Sequence, residues 1–181
     1  MPFVLFSYYN LVLQAGMEDF LLSLPENGIT GIIIPDLPFE ENDAVQQAAQ
    51  RAGIHLIPLV APTSQERIQQ IVSRASGFVY CVSSLGVTGM RTDFDREVDE
   101  FLQTVRAAAT VPIAVGFGIS SAEHVARFSR ICNGVIVGSA IVRQVEENLP
   151  RLSGSPQERA EGLAAVHRFV STLKSGTKSG A

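Results

Sequence analysis

The sequence predicts an α/β protein built around a parallel sheet, and three observations support that prediction. Short apolar runs alternate along the chain with amphipathic stretches. The runs are almost continuously apolar, which is typical of strands that are buried on both faces. The amphipathic stretches begin with helix-start signals, and the connections between elements are short. Regular alternation of this kind indicates parallel strands joined by right-handed crossovers.

Six apolar runs are predicted to be strands. Each ends at a proline, a glycine or a polar residue, where the chain is expected to leave the sheet. The predicted strands are residues 2–6, 32–34, 56–60, 78–82, 112–115 and 134–137.

The stretches between these runs carry signals for the start of a helix. Thr63 with Glu66, and Ser120 with Glu123, fit the capping box, in which a hydroxyl and a carboxylate satisfy backbone donors of the first turn. Ser155 precedes a proline at the first helical position, where the missing N–H costs nothing. The helices predicted from apolar spacing are residues 17–24, 94–108 and 160–173.

The composition indicates one folded domain. The 181 residues are 46% hydrophobic, which suffices for one buried core, and 18% charged, which is too few for a disordered chain. No stretch has the composition of a linker. We therefore expect one domain over residues 1–174, followed by a flexible tail over residues 175–181 that is rich in lysine, serine and glycine.

Several classes of protein are disfavoured by the same numbers. A net charge of -4 and a pI near 5.4 argue against a nucleic-acid-binding surface. No apolar run approaches the ~18 residues of a membrane span. Cys81 and Cys132 are expected to be buried thiols in a reducing compartment. The histidines, His55, His124 and His167, do not share a metal-ligand spacing, so no metal site is predicted.

The last two predicted strands are followed by glycine-rich segments that suit a phosphate. Gly116 and Gly118 precede the helix predicted to start at Ser120, and Gly138 with Ser139 opens another short helix. Glycine lets backbone N–H groups approach a ligand closely, and a helix N-terminus adds unpaired donors and a favourable dipole. The alternative interpretation is that these glycines serve only tight turns between strand and helix.

Two other strand ends could hold functional groups. Residues 83–93 form a longer connection containing Gly86 and Gly89, which predicts either a lid over a ligand or a long surface loop. Asp36 follows the second strand directly, where it would serve as an acid–base group or as a turn former beside two prolines. The sequence contains no paired carboxylates, no Ser/His/Asp constellation and no nucleophile elbow.

Four segments resemble motifs of the tryptophan synthase α-subunit family, in the family's order and spacing. The segments are Ile34-Pro35-Asp36-Leu37-Pro38, Ser84-Leu85-Gly86-Val87-Thr88-Gly89, Gly116-Phe117-Gly118-Ile119-Ser120 and Val137-Gly138-Ser139-Ala140-Ile141-Val142. The resemblance implies a fold of the TIM (β/α)8-barrel family, here an incomplete barrel with about six parallel strands and flanking helices, because the first strand matches the family's third. Other phosphate-binding barrels, such as phosphoribosyl isomerases, share the glycines but not the whole set.

The family's activity is what the resemblance implies for this protein. Those lyases cleave indole-3-glycerol phosphate by a retro-aldol reaction, releasing indole and glyceraldehyde 3-phosphate during tryptophan biosynthesis. The indole passes to a β subunit, which carries pyridoxal phosphate (PLP) and joins indole to serine. The resemblance therefore implies no cofactor in this chain, a β-subunit partner in a heterotetramer, and a location in the cytoplasm, or in the plastid stroma if the source is a plant.

The resemblance also implies roles for individual residues. The positions that match the phosphate site are Gly89, Gly116, Phe117, Gly118, Gly138 and Ser139. The positions that match the substrate pocket and its lid are Phe6, Val60, Tyr80 and Thr88, of which Thr88 lies on the lid. The positions that match the surface docking on the β subunit are Asn10, Asp36 and Pro38.

The family's two catalytic carboxylates match no residue of this sequence. In the family, a glutamate at the end of the second barrel strand and an aspartate in the next loop precede the segment that this chain resembles. Neither Asp36 nor Glu40 is assigned in their place. We therefore expect the chain alone to be inactive, and the alternative function is a non-catalytic module that binds phosphate and docks on the β subunit.

An incomplete barrel also has a physical consequence. Six parallel strands in place of eight leave two open sheet edges and part of the interior exposed. The chain alone is therefore expected to be poorly soluble, to associate with itself or to be only partly ordered.

Overall fold

The computed structural model describes residues 1–38, 41–82, 91–116 and 118–178, without the side chains of residues 91–95 and 178. These residues form two compact units, each described here by itself. The first unit comprises Met1–Ser84 and Gln103–Ile113, and the second comprises Leu85–Leu102 and Ala114–Ala181. Within the described ranges the chain alternates strands and helices, as the sequence predicts.

The first unit begins with three parallel strands in the order β1-β2-β3. They are β1 (Phe3–Phe6), β2 (Ile29–Ile33) and β3 (His55–Leu56). The register pairs Phe6 with Ile33, so the two strands end side by side. The helices of this part are α1 (Tyr9–Gln14), α2 (Met17–Ser23) and α3 (Asn42–Arg51), with a 3-10 turn at Pro25–Asn27.

One buried cluster fixes these helices to the sheet. Val12 of α1, Leu21 of α2 and Val45 of α3 are completely buried, as is Ile32 of β2. Burying an aliphatic side chain of this size contributes about 1.5–3 kcal/mol, so these residues account for much of the unit's stability.

The predicted strand over residues 56–60 is two strands in the structure, β3 and β4 (Leu59–Val60). Ile57 N donates to Ile32 O at 2.9 Å, whereas Pro58 O accepts from Tyr80 N at 3.0 Å. The pairing partner therefore changes from β2 to β5 (Val79–Val82) at Pro58. The helix α4 (Gln65–Val72) follows β4.

The second unit contains the last two strands and most of the later helices. The parallel register pairs Ala114 with Gly134 and Val115 with Val135. The strands are β6 (Ile113–Gly116) and β7 (Gly134–Val135). The helices are α5 (Arg91–Ala108), α6 (Ala122–Phe128), α7 (Ser139–Glu147), α8 (Leu149–Leu152) and α9 (Pro156–Ser175). The first residue of β6 and the end of α5 belong to the first unit. Helix α9 packs against α6, α7 and α8.

The structure shows packed residues beyond residue 174, where the predicted flexible tail begins. Helix α9 ends at Ser175, and Gly176–Lys178 form a 3-10 turn. Gly176 is buried, and a Cβ atom there would collide with the carbonyl oxygen of Ala122. Close contact of this turn with α6 therefore holds residues that lie beyond the predicted boundary at 174.

Two predicted helix starts are displaced by one residue. Helix α4 is capped by Ser64, not Thr63, because Ser64 is extended and its Oγ accepts from Arg67 N at 3.4 Å. Helix α6 is capped by Ser121, whose Oγ accepts from His124 N at 3.2 Å. In both cases two adjacent residues carry a hydroxyl, and the backbone conformation selects the second.

The predicted buried cysteines are confirmed. Cys81 and Cys132 are both buried and neither forms a disulfide. No helix among the described ranges is long and apolar enough to cross a bilayer.

The capping box at Ser155 gives a pH-dependent prediction. Ser155 Oγ accepts from Glu158 N, while Glu158 Oε2 accepts from Ser155 N at 2.8 Å and from Ser155 Oγ at 2.7 Å. These hydrogen bonds lower the pKa of Glu158 below its ordinary 4.5. A lowered pKa stabilises the folded state above pH 4.5, and this contribution is lost as the pH falls through the folded-state value.

We therefore expect Glu158→Ala to lower the free energy of unfolding at pH 7 and to have no such effect near pH 2. Chemical denaturation at both pH values measures the difference from the unsubstituted chain. Glu161→Ala, an exposed site on the same helix, is the matched control. A Glu158 effect of equal size at both pH values would contradict the assignment.

Candidate functional site

The glycines after β6 and β7 lie in the second unit. Because β6 and β7 are parallel, their carboxyl ends meet at one edge of the sheet, which is where such sheets bind ligands. Gly116 is the last residue of β6. Gly118 has a φ of 53°, in the left-handed region that favours glycine, and a Cβ atom there would meet nothing within 4 Å. The backbone at Gly118 therefore borders open space.

The N-terminus of α7 has the features of an anion site. Gly138 is its N-cap residue, and none of the side chains that the structure describes caps the helix. Gly138 and Ser139 are exposed, and a Cβ atom on Gly138 would also meet nothing within 4 Å. The first N–H groups of a helix lack intrahelical partners and lie at the positive end of its dipole. The amides at the start of α7 are thus accessible to an anion.

Helix α6 differs from α7 at its start. Ser121 caps it, and Ser120 N donates to His124 Nδ1 at 3.4 Å. Donors at the start of α6 are thus engaged by side chains of the same segment. Of the two helices that the sequence predicts at a phosphate, α7 is the one whose first turn is open. The backbone at Gly118 adds open space after β6.

Three of the predicted site residues lie outside the residues that the structure describes. They are Gly89 and Thr88, on the segment expected to form the lid, and Phe117, expected beside the phosphate.

Three of the residues predicted in the substrate pocket, Phe6, Val60 and Tyr80, belong to the first unit. Val60 ends β4 and is 1% exposed, and it pairs with Cys81 in the neighbouring strand. Tyr80 lies on β5 and is half-buried, and this burial raises the pKa of its phenol. Phe6 ends β1 and is 54% exposed. The three side chains therefore differ widely in burial.

Asp36 has a structural partner that the sequence did not identify. Its Oδ1 accepts from the backbone N of Tyr9 at 2.9 Å, so it caps the start of α1. Tyr9 Oη donates to Glu41 Oε2 at 3.3 Å, and burial together with Glu41 raises the pKa of that phenol. Asn10, the next residue of α1, is exposed.

The pairing of Tyr9 with Asp36 and Glu41 was missed because it is not local. No helix is predicted before residue 17, whereas Tyr9 and Asn10 begin α1. A usable signal existed: parallel neighbouring strands place their following loops side by side, so a carboxylate after β2 can reach the segment after β1.

A cleft of about 210 Å³ lies elsewhere in the first unit and holds none of the predicted site residues. Its apolar wall includes Ile34, Leu56 and Ile57, and Gln46 and Arg67 contribute polar groups. Within the part of the chain that the structure describes, no group of three or more His, Cys, Asp or Glu side chains could hold a metal ion.

Comparison with known proteins identifies the family. The family model described as "Tryptophan synthase alpha chain" matches residues 1–178. The chain belongs to the tryptophan synthase alpha chain family. It is 50% identical over 172 residues to the alpha chain of Geobacillus kaustophilus, a match that covers 95% of this chain and 64% of the relative. It is 51% identical over 169 residues to the alpha chain of Bacillus subtilis strain 168, which covers 93% and 63%.

Solved structures of the family share the fold. The tryptophan synthase subunit alpha of Legionella pneumophila strain Paris superposes with a TM-score of 0.81 at 30% identity, over 98% of this chain and 63% of that one. The fold is thus the α/β barrel of that family, in an incomplete form, as predicted. The chain spans about 64% of the length of the first curated relatives it matches.

The open start of α7 gives a prediction for phosphate binding. Gly138→Asp should weaken binding of inorganic phosphate at least about tenfold, because a carboxylate would occupy the open space and repel the dianion. Phosphate titration monitored by ³¹P NMR measures the dissociation constant.

Gly134→Ala is the matched control, since its Cβ would lie 3.8 Å from the Cβ of Ala114, an ordinary contact. Equal phosphate affinities of the Gly138→Asp variant and the unsubstituted chain would exclude a phosphate at α7.

Proposed function

We propose that this chain carries the phosphate- and indole-binding part of a lyase that cleaves indole-3-glycerol phosphate by a retro-aldol reaction. The observation that most supports the proposal is the uncapped first turn of α7 at Gly138 and Ser139, beside the glycines that follow β6. Membership of the tryptophan synthase alpha chain family supports indole-3-glycerol phosphate as the substrate whose phosphate this site would hold.

The proposed role of the site is to hold the end of the substrate that does not react. A phosphate dianion at the start of α7 would accept from backbone N–H groups and gain from the helix dipole. Binding energy at this remote group would then help to fix the indole and glycerol carbons of the substrate for reaction. The open space at Gly118 and Gly138, where a Cβ atom would meet nothing within 4 Å, supports a ligand that lies close to the backbone.

Cleavage needs groups that move protons, and we propose that this chain does not supply them. The retro-aldol step breaks a carbon–carbon bond, places a proton on the indole ring and removes one from a glycerol hydroxyl. Asp36 is engaged at the start of α1 by the amide of Tyr9. The family's glutamate and aspartate, implied by the resemblance, would perform the proton transfer and stabilise charge at the indole nitrogen.

The proposed partner is a tryptophan synthase β subunit, which would hold PLP, so this chain needs no cofactor. Exposed Asn10 and Pro38 lie on the segments that the family's docking surface matches, which supports this assignment. The relatives named above are bacterial, which supports a cytoplasmic setting. A plastid location would apply to a plant source.

The second candidate function is a phosphate-binding and docking module without catalysis. The capping role of Asp36 favours it, because this carboxylate already has a structural function. The two candidates agree on the ligand and the partner and differ only in turnover.

An assay of indole release separates these two functions. We expect the 181-residue chain to release no indole from indole-3-glycerol phosphate, with or without a β subunit. Joining the uncovered residues of the Geobacillus kaustophilus alpha chain ahead of Met1 should produce turnover, because it adds the family's acid–base groups.

The control is the extended protein with Gly138→Asp. Its KM for indole-3-glycerol phosphate should be higher than that of the extended protein without this substitution. Indole release by the 181-residue chain alone would overturn the proposal that its acid–base groups are absent. No turnover by the extended protein would favour the non-catalytic module.

We also propose that the chain associates with itself through β1. Phe3 and Phe6 are 57% and 54% exposed, and β1 is an edge strand of its sheet. An exposed apolar edge strand offers unpaired backbone groups and apolar side chains to a second copy.

Phe3→Lys should therefore shift the chain toward monomer, because a charge on an edge strand opposes pairing. Light scattering coupled to size exclusion measures the mass. Val170→Lys replaces an exposed apolar residue of α9 and should leave the mass distribution unchanged. A monodisperse monomer before any substitution would refute the proposed association.

A further inference from the structure

We infer that Asp36 acts on β-subunit docking as a positioning residue, by capping α1 and orienting Asn10, and does not itself bind the partner. The inference rests on the docking role proposed above. The resemblance implies that Asp36 contacts the β subunit directly, whereas we infer that it contacts the backbone N of Tyr9 within this chain.

Helix α1 is too short to be stable by itself. It has six residues, and isolated helices below about 12–15 residues are marginal in water. Its N-cap residue, Tyr8, is extended but has no side-chain hydrogen bond to the first turn. The helix has no acidic residue in that turn to favour its dipole. Its orientation therefore depends on contacts from elsewhere.

Three contacts supply that orientation. Val12 is completely buried and anchors the inner face of α1 in the core. Asp36 Oδ1 accepts from Tyr9 N at 2.9 Å and satisfies a first-turn donor. Tyr9 Oη donates to Glu41 Oε2 at 3.3 Å, which ties the same residue to the far side of the following loop.

These contacts join the two segments that carry the docking positions. Ser7 N donates to Ile33 O at 3.0 Å, so the chain leaves β1 directly beside the end of β2. Asp36 then holds the first turn of α1, which contains Asn10. Pro38 lies between Asp36 and Glu41, the two residues that bind Tyr9. Asn10 and Pro38 are both exposed, and they lie one residue from Tyr9 and two residues from Asp36, which this hydrogen bond joins.

The acceptor geometry allows a test that separates the two roles of Asp36. An asparagine retains the Oδ1 acceptor for Tyr9 N but loses the charge, whereas an alanine loses both. If Asp36 acts by capping, Asp36→Asn should preserve docking and Asp36→Ala should weaken it. If Asp36 binds the β subunit through its charge, both substitutions should weaken docking alike.

The experiment measures β-subunit affinity by calorimetry for the unsubstituted chain and for both Asp36 variants, using the β subunit of the same organism. Hydrogen exchange at the α1 amides is measured without the partner. We expect Asp36→Ala to speed hydrogen exchange in α1 and to raise the dissociation constant for the β subunit about fivefold. A change of this size corresponds to the stabilisation that a typical helix cap provides. The dissociation constant of the Asp36→Asn variant should stay within about twofold of that of the unsubstituted chain.

A second pair of variants tests the contact through Tyr9. Glu41→Ala removes the acceptor of the phenol and should weaken docking, while Glu41→Gln keeps an acceptor and should restore it. Phosphate binding at α7 should be unchanged in every variant, which confirms that each one is folded.

Equal loss of affinity in Asp36→Asn and Asp36→Ala would overturn the inference and leave the proposed docking intact. Unchanged affinity in Asp36→Ala, with faster exchange in α1, would also overturn it. No binding of the β subunit by the unsubstituted chain would overturn the docking itself, and the inference with it.

Discussion

Parallel pairing in register is the interaction on which the rest of this structure depends. Phe6 pairs with Ile33 in β1 and β2, and Val115 pairs with Val135 in β6 and β7. Each pairing brings the segments that follow two strands to the same edge of the sheet. In the first unit this places Asp36 at the start of α1, and in the second unit it groups the glycines after β6 with the open start of α7.

Burial is uneven, and the unevenness follows from which strands have neighbours. Ile32 on β2 is completely buried, whereas Phe3 and Phe6 on the edge strand β1 are mostly exposed. In the second unit, exposed apolar side chains lie on α7, α8 and α9, namely Val142, Val145, Leu149, Leu163 and Val170. Exposed apolar side chains such as these are common on protein surfaces and need no partner to explain them.

The accuracy of the sequence predictions depends on the distance over which each signal acts. Every predicted strand and helix corresponds to an observed element, because burial on one or two faces leaves a periodic pattern in the residues themselves. The break at Pro58 and the choice of Ser64 over Thr63 were missed. Both depend on backbone conformation and on the partner strand, which neighbouring residues do not specify.

The sequence by itself determined the family, the order of the elements, the glycine-rich strand ends and the burial of both cysteines. These features follow from composition, spacing and ordered motifs. Only the tertiary structure decided that Asp36 caps α1, that α7 rather than α6 has an open first turn, and that Phe6 is exposed. The hydrogen bond from Tyr9 to Asp36 spans 27 positions along the chain, and parallel register brings those two residues together.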